Sequence, residues 1–297
     1  MKYLVFESGS RAGFSAEMFF RLWQKRHHRT DVKLIMADAD WTMLELPNAK
    51  GIKRKHCQPA EARVVDKNVR VFPGDELTRQ RNEWIQKSIE NDIYAKVEDW
   101  FYDKSKVNRL LHKLTDGKTF IKIPKTFDLN EVCIKPNTLS AGSKNIQFEG
   151  NVCIEELIDI KTEYVADVLE IDGEYCPFVR EVQLRAGYDK LIKLLPPSHK
   201  LTHSVKQFLD VVKENTEDRF SLFNGIFHLQ IAEDYKGQYY FIEASKRISG
   251  TSIVNVFNGF NPFDLIEGTD FTTYPNPFDF EKWYRYEDFI LEIGKLL

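Results

Sequence analysis

The sequence has little of what marks an exported, membrane-bound or nucleic-acid-binding protein. No apolar run approaches the roughly 18 residues that a membrane helix needs, and Leu4–Phe6 near the N-terminus is followed at once by Glu7. Lysine plus arginine number 42 and aspartate plus glutamate 45, so the formal net charge is only −3. Such a balance supplies no field that would recruit a nucleic acid or an anionic membrane. We therefore expect neither export, nor membrane insertion, nor a nucleic-acid partner.

Cysteine is scarce, and its spacing excludes the common zinc and redox motifs. The chain has four cysteines and no CxxC pair: Cys57, Cys133, Cys153 and Cys176. We expect these cysteines to be reduced thiols of a cytoplasmic protein. The sequence also lacks internal repeats and low-complexity tracts, so it predicts an ordinary globular fold.

Hydrophobic periodicity divides the chain into three parts. Residues 1–102 begin as strand, helix and strand, which predicts an open α/β domain. Residues 103–155 read as a short basic helix followed by compact strands, which predicts a small α+β lid subdomain. Residues 156–297 are rich in strands and end in a helix from about residue 286, which predicts an α+β domain with an antiparallel sheet. The predicted class is therefore α/β combined with α+β.

The first helix carries an apolar stripe at steps of three and four residues. The stripe consists of Ala16, Phe19, Phe20, Trp23 and His27. Such spacing is typical of a helix face packed into the core, and we interpret it so.

A hairpin over residues 226–245 brings oxygen-bearing side chains together. If the turn spans residues 235–238, Asp234 pairs with Tyr239 and Gln230 lies directly opposite Glu243. Strand alternation then places Tyr239 and Phe241 on the same face as Glu243.

Ser245 continues the face of Glu243, and Arg247 follows it. Hard oxygen ligands beside a guanidinium are suited to Mg²⁺ and to phosphate. A plain ion pair between the carboxylate and the arginine is the alternative interpretation.

Two further segments carry candidate binding residues. Lys135 ends a strand before a loop of small residues, and such loops let backbone N–H groups approach phosphate; the loop residues singled out are Ser140, Gly142 and Ser143. Glu156 and Glu163 flank the joint between two strands, where a carboxylate can accept from ribose hydroxyls. An ordinary turn and solvated acids are the alternatives for these segments.

In this order the segments resemble the ATP-grasp fold over nearly the whole chain, and most closely its carbamoyl-phosphate-synthase-like branch. The resemblance implies phosphate binding by Lys104, which opens a short helix before IPKTF, and by Lys135 with the loop after it. It implies adenine binding at Glu156, Leu157 and Ile158, and ribose binding at Glu163.

The same resemblance assigns the hairpin. Gln230 and Glu243 fall on the metal-ligand positions, and Ser245 stands where the family usually has asparagine. Arg247, within EASKRISGTS, corresponds to the residue that faces the transferred phosphoryl group, and Lys135 shares the catalytic role. Oligomeric state stays open.

The implied activity is that of a ligase that uses ATP and Mg²⁺ or Mn²⁺. Such an enzyme converts a carboxylate into an acyl phosphate, which an amine or a thiol then attacks, so we expect small-molecule partners. Arg180 and Arg185 are candidates for holding the substrate carboxylate, with a solvated strand face as the alternative.

Three other functions remain open at this point. One is a fold that binds nucleotide without turnover, suggested by the single glycine of the small-residue loop and by Ser245. A second is transfer of phosphate to a small acceptor, of the carbamoyl-phosphate type, without amide formation. A third is a nicotinamide oxidoreductase using Ser8–Gly13, although that segment has GxxxG and not GxGxxG.

Overall fold

The computed structural model describes residues 2–6, 10–36, 69–72, 103–127, 154–184, 190–216, 223, 225–271 and 273–297. The helices are α1 (Ser10–His27), α2 (Lys104–Thr115), α3 (Lys200–Asn215), α4 (Pro262–Glu267) and α5 (Tyr286–Leu296), with a 3-10 helix over Ser252–Asn258. Within these ranges no helix is both long and apolar enough to cross a bilayer.

Twelve strands form three sheets in the described part of the chain. The strands are β1 (Lys2–Phe6), β2 (Val32–Met36), β3 (Val69–Phe72), β4 (Ile121–Lys122), β5 (Thr126–Phe127), β6 (Ile154–Glu155), β7 (Ile160–Ile171), β8 (Glu174–Leu184), β9 (Lys190–Leu194), β10 (Ile226–Asp234), β11 (Tyr239–Ser245) and β12 (Tyr284–Arg285). The N-terminal sheet is parallel in the order β2-β1-β3. The seven-stranded sheet has the order β12-β9-β8-β7-β10-β11-β4, and only its β11–β4 pair is parallel.

Local chemistry sets several boundaries of these elements. Asp103 caps α2, because its carboxylate accepts from the backbone N–H of Lys106 at 3.1 Å. Asp172 and Gly173 both have positive φ, of 50° and 83°, so a tight two-residue turn joins β7 to β8. The first residues of the GxxxG segment that the structure describes, Ser10–Gly13, begin α1.

Two apolar clusters cover the two faces of the seven-stranded sheet. On one face, α2 and α3 pack against β7, β10 and β11, for example Phe208 against Phe241 at 6.0 Å between ring centroids. At one end of the other face, α1, the 3-10 helix, α4 and α5 form a second cluster that includes Leu169 and Ile226 of the sheet. The predicted stripe of α1 is confirmed as core for Ala16, Phe19, Phe20 and Trp23, which are fully buried, whereas His27 is partly exposed and pairs with Asp264. The rest of this second face carries the polar side chains described below.

The combination of α/β and α+β architecture is therefore as the sequence predicts. The three-part division at residues 102 and 155 stays a prediction.

Candidate functional site

The β10–β11 hairpin aligns the oxygen-bearing residues in the predicted register. Gln230 lies opposite Glu243, and His228 lies opposite Ser245. The route to this register differs from the prediction, because Tyr239 pairs with Glu233 and not with Asp234, so five residues lie between the last paired residues. An irregularity next to Gln230 then leaves Ile242 as an extra residue on β11, which restores the predicted pairing.

This bulge corrects the predicted faces of the hairpin. Phe241 lies opposite Ile231, and both are buried in the core cluster beneath α3, together with Tyr239. The prediction that Tyr239 and Phe241 share a face with Glu243 is therefore wrong. The extra residue reverses the alternation between Phe241 and Glu243, so that the aromatic side chains enter the core and the carboxylate does not.

Neighbouring strands extend the same face. Val165 of β7 pairs with both Gln230 and Arg180, and Asp167 pairs with His228. Because side chains alternate along a strand, Glu163 lies on this face as well. We call this set the polar face: Glu163, Asp167, Arg180, His228, Gln230, Glu243 and Ser245.

Helix α2 contributes a cation to the polar face. Lys104, its first residue, donates from Nζ to Oε2 of Glu243 at 2.6 Å. The lysine side chain is 61% exposed and the glutamate side chain 24% exposed, so the pair lies at the solvent-accessible edge of the site. The structure thus joins two residues that are 139 positions apart and that the sequence assigned separately to phosphate and metal. The carboxylate of Glu243 therefore pairs with Lys104, whereas the alternative interpretation of the sequence paired it with Arg247.

Arg180 is not on a solvated strand surface. Its side chain is fully buried, and it forms an ion pair with Asp167, which is also fully buried. Its remaining donors are directed to Thr251 Oγ1, at 2.9 Å from Nη2, and to Ser249 Oγ. The alternative of a solvated face is therefore wrong for Arg180, and its guanidinium is occupied by side chains of this chain.

The segment that carries Arg247 is held by a buried histidine. His228 Nδ1 lies 2.9 Å from the carbonyl oxygen of Arg247, and since a carbonyl only accepts, Nδ1 carries the proton. Burial, and then the positive charge of Arg247, lower the pKa of His228 to about 4. The imidazole is therefore neutral at neutral pH.

This buried histidine predicts a loss of stability in acid. The lowered pKa of His228 means that the unfolded chain binds more protons between about pH 6.5 and pH 4. Its contribution is complete above about pH 6.5 and is lost as the pH falls towards 4, by up to about 3 kcal/mol. We expect the free energy of unfolding of the metal-free protein, measured in urea, to fall less steeply in His228→Asn over this range.

The same substitution at the exposed His203 is the control for the histidine experiment. Asparagine at position 228 can still donate to the Arg247 carbonyl, so the comparison isolates the titration. Equal pH slopes in the parent and in His228→Asn would contradict the prediction.

The residues expected to hold adenine follow β6. The backbone N–H of Glu156 donates to the carbonyl of Lys125 at 2.8 Å, which ties the end of β6 to the connection before β5. Leu157 is 95% exposed and Ile158 is half-buried, so apolar surface is available beside these backbone groups. A cavity of about 350 Å³ lies next to them, lined by Glu156, Lys122, Lys125, His112 and Tyr240 among others.

Several predicted site residues lie outside the described part of the chain. They are Lys135, Ser140, Gly142, Ser143 and Arg185. Their assignments to phosphate, to catalysis and to the substrate carboxylate stay predictions.

The donor set of the polar face fits a magnesium ion carried by a phosphate-rich ligand. Among the described residues, no three His, Cys, Asp or Glu side chains converge as metal ligands. Mg²⁺ does not need such a cage, since it binds through one or two carboxylates and keeps waters and substrate phosphates as its other ligands. Glu243 supplies the carboxylate, Gln230 opposite it an amide oxygen, and Ser245 a hydroxyl.

Sequence reasoning missed Asp167 and His228. Both were readable from alternation, because Asp167 interrupts the apolar run of β7 and His228 stands two residues before Gln230. A buried charged or polar residue on the face of the candidate ligands is the signal that would have found them.

Comparisons with known structures agree with this architecture. The chain is similar to a protein of Archaeoglobus fulgidus described as a member of the ATP-grasp superfamily, with a TM-score of 0.53, 13% identity, and coverage of 92% of this chain and 90% of the other. It is similar to N5-carboxyaminoimidazole ribonucleotide synthetase of Thermotoga maritima, with a TM-score of 0.57, 14% identity, and coverage of 92% and 78%.

A third similar structure carries ligands. It is N5-carboxyaminoimidazole synthase of Aspergillus clavatus in complex with ADP and 5-aminoimidazole ribonucleotide, with a TM-score of 0.50, 14% identity, and coverage of 92% and 78%. No family model matches the sequence, and no curated protein matches it either. The likeness therefore lies in the fold.

Proposed function

We propose that this chain, which has the ATP-grasp fold, binds ATP with Mg²⁺ and is a ligase that activates a carboxylate for attack by an amine or another nucleophile. The observation that supports this most is the polar face, where Gln230 lies opposite Glu243 and Lys104 reaches the same carboxylate. The ADP in the similar Aspergillus clavatus synthase supports a nucleotide as the ligand.

The proposed reaction has two balanced steps. A carboxylate oxygen of the substrate attacks the γ-phosphorus of ATP, the bond from that phosphorus to the β,γ-bridging oxygen breaks, and ADP leaves. The resulting acyl phosphate is attacked at its carbonyl carbon by the amine, which forms the amide bond, expels inorganic phosphate and loses a proton to solvent. No side-chain nucleophile is needed.

The chain's own contribution is positioning and charge neutralisation. Negative charge spreads over the transferred phosphoryl group, and fixed cations stabilise that charge. Arg247 follows the strand that carries Glu243 and Ser245 and is proposed to face this group. Lys104 and Lys135 are proposed to contact the phosphates.

Magnesium, when bound, neutralises phosphate charge and aligns the oxygens of the nucleotide. Gln230, Glu243 and Ser245 are proposed to hold it. Glu156, Leu157 and Ile158 are proposed to hold adenine, and Glu163 to hold ribose.

Nucleotide binding is tested by thermal unfolding with a non-hydrolysable ATP analogue, with and without Mg²⁺. At about a hundred times the dissociation constant, binding adds about 2.7 kcal/mol to the free energy of unfolding, which raises Tm by several degrees. We expect Glu243→Ala to lose the Mg²⁺-dependent part of this shift, because it removes the only carboxylate proposed as a metal ligand.

Glu181→Ala is the matched control for Glu243→Ala. Glu181 is a half-buried carboxylate on β8 of the same sheet, on the face away from the site, where it pairs with Lys193. This variant is expected to keep the full shift. A parent protein that melts cooperatively and shifts with no nucleotide would contradict the proposal. ADP release in the presence of panels of carboxylates and amines then tests turnover and the acceptor.

The ion pair between Lys104 and Glu243 predicts opposite effects on metal and nucleotide. Since the pair is partly exposed, it stabilises the carboxylate by about 0.2–1 kcal/mol. Replacing Lys104 by methionine should therefore tighten binding of Mn²⁺ alone by up to about fivefold, measured by electron paramagnetic resonance. The same variant should bind the Mg²⁺ complex of the ATP analogue more weakly, because a proposed phosphate contact is lost.

Lys106→Met is the control for the lysine variant, since Lys106 lies on the same helix and pairs with Asp103, away from Glu243. Weaker binding of both ligands by Lys104→Met would show that the lysine does not compete with the metal.

Nucleotide binding without turnover is the second candidate function. Ser245 is buried opposite His228 and offers a hydroxyl where the similar fold usually offers an amide oxygen, which favours weaker metal binding. A Mg²⁺-dependent thermal shift without ADP release for any acceptor would support this candidate.

A further inference from the structure

The segment that follows β11 is held from beneath by three buried side chains of the sheet. We call residues 246–251 the closing segment. His228 of β10 donates to the carbonyl of Arg247 at 2.9 Å. Asp167 of β7 accepts from the backbone N–H of Ser249 at 3.2 Å, and Arg180 of β8 donates to the side chains of Ser249 and Thr251.

This anchorage is fully buried and nearly complete in its hydrogen bonds. Asp167 also accepts from Asn255 Nδ2 at 2.9 Å, so its carboxylate binds the middle of the 3-10 helix as well as the closing segment. Asp167 and Arg180 are each 0% exposed. Their bonds therefore fix the closing segment at its fourth residue, Ser249, and at its last, Thr251, while His228 fixes its second.

A buried ion pair usually adds little to the free energy of unfolding, so stability by itself does not explain its presence. Apolar side chains of similar volume at such sites are often neutral or stabilising, because two charges must lose their hydration. Apart from the ion pair itself, the hydrogen bonds of Asp167 and Arg180 go to the closing segment and to the 3-10 helix that follows it. Positioning of that segment is the role that these contacts share.

We propose that Asp167 and Arg180 are positioning residues for Arg247. They do not contact the nucleotide, and Arg180 does not bind the substrate carboxylate. By holding Ser249 and Thr251 they fix the backbone on the C-terminal side of Arg247, including the carbonyl of Ile248 to which the Arg247 guanidinium donates from Nη1 at 3.2 Å. Under the proposed function, this anchored guanidinium faces the transferred phosphoryl group. This inference rests on the proposed function, in which Arg247 faces that group.

The test separates positioning from binding of the ground state. Ser249→Ala combined with Thr251→Val removes the contacts of Arg180 to the closing segment and leaves the ion pair with Asp167 intact. The probes are MgADP alone and MgADP with aluminium fluoride, which imitates the phosphoryl group in transfer. Dissociation constants are measured by calorimetry on the full chain.

We expect the parent to bind MgADP–aluminium fluoride more tightly than MgADP. In the double variant this preference should fall by about ten- to hundredfold, because misplacement of a catalytic group by about 1 Å has effects of that size. The dissociation constant for MgADP alone should stay within about twofold. Ser252→Ala is the matched control and should keep the preference, since its buried hydroxyl has no hydrogen-bond partner among the residues that the structure describes.

Arg247→Ala supplies the decisive comparison. If Ser249 and Thr251 act through Arg247, their replacement in the Arg247→Ala background has no further effect on the preference, whereas a general structural role adds to it. An unchanged preference in the double variant, or additive losses, would overturn the inference, as would a parent that shows no preference. A parent that binds no MgADP at all would overturn the proposed function itself.

Discussion

Arg180→Met is expected to lower the free energy of unfolding by about 3–5 kcal/mol, because it leaves the carboxylate of Asp167 buried without its cationic partner. Both side chains are 0% exposed, so water cannot solvate the remaining charge. The hydrogen bonds to Ser249 and Thr251 are lost with the guanidinium. Urea unfolding followed by circular dichroism measures the change.

Two comparisons identify the origin of this loss. Asp167→Asn in the Arg180→Met background removes the stranded charge, and we expect it to recover at least part of the loss. Lys206→Met is the exposed counterpart: Lys206 pairs with Glu174 and Asp210 near the surface, and the change should stay below about 1 kcal/mol. A loss of similar size in Arg180→Met and Lys206→Met would contradict the buried character of the Arg180 pair.

Trp23→Ala is expected to destabilise the protein by a similar amount, about 3–5 kcal/mol. Trp23 lies on α1 and is fully buried, with its ring stacked 5.8 Å from that of Phe20. Its indole N–H donates to Thr269 Oγ1 at 3.1 Å, so one side chain joins the N-terminal helix to a segment 246 residues later. Removal leaves a cavity and deprives the Thr269 hydroxyl of this donor, although the hydroxyl keeps its bond to Asp264 Oδ1 at 3.1 Å.

Trp283→Ala is the control for this substitution. Trp283 is 37% exposed and carries Lys193 at 5.3 Å above its ring, a contact of modest strength at an exposed site. We expect a loss below about 1 kcal/mol. Equal losses in the two variants, measured by the same urea titration, would mean that α1 does not share a cooperative core with the C-terminal segment.

The β10–β11 hairpin shows how much of a strand register can be predicted from residue numbers alone. Opposite residues on antiparallel strands have a constant sum of residue numbers, so the pairing of Gln230 with Glu243 follows from an assumed turn. The pairing is as predicted because the bulge at Ile242 compensates for a shift of one residue in the pairing near the turn. Bulges have no reliable local sequence signature, and for this reason the predicted faces of Tyr239 and Phe241 were wrong while the predicted pairing of Gln230 with Glu243 was right.

The buried network could not be predicted in the same way. Arg180 meets Ser249 and Thr251 across 69 and 71 residues, and such contacts depend on how distant strands and helices assemble. The sequence showed only an arginine on a strand, for which substrate binding and solvent exposure were the available interpretations. That its partner Asp167, 13 residues earlier on the adjacent strand, lies near Arg180 could have been predicted from the register of the hairpin. The tight turn at Asp172 and Gly173 already set that register.

The extra residue at Ile242 makes the hairpin unequal in its tolerance of length changes. Insertions near Lys236, at the exposed tip, lengthen a loop and leave both strands in register. Deletion of Ile242 would make Phe241 and Glu243 neighbours, and regular alternation places neighbours on opposite sides of a strand, where these two side chains already project. Deletion of a paired residue such as Ala244 would instead move Ser245 to the opposite face of β11. Length variation among descendants of this gene is therefore expected at the tip of the hairpin and at the bulge, and not at the paired residues beside the carboxylate.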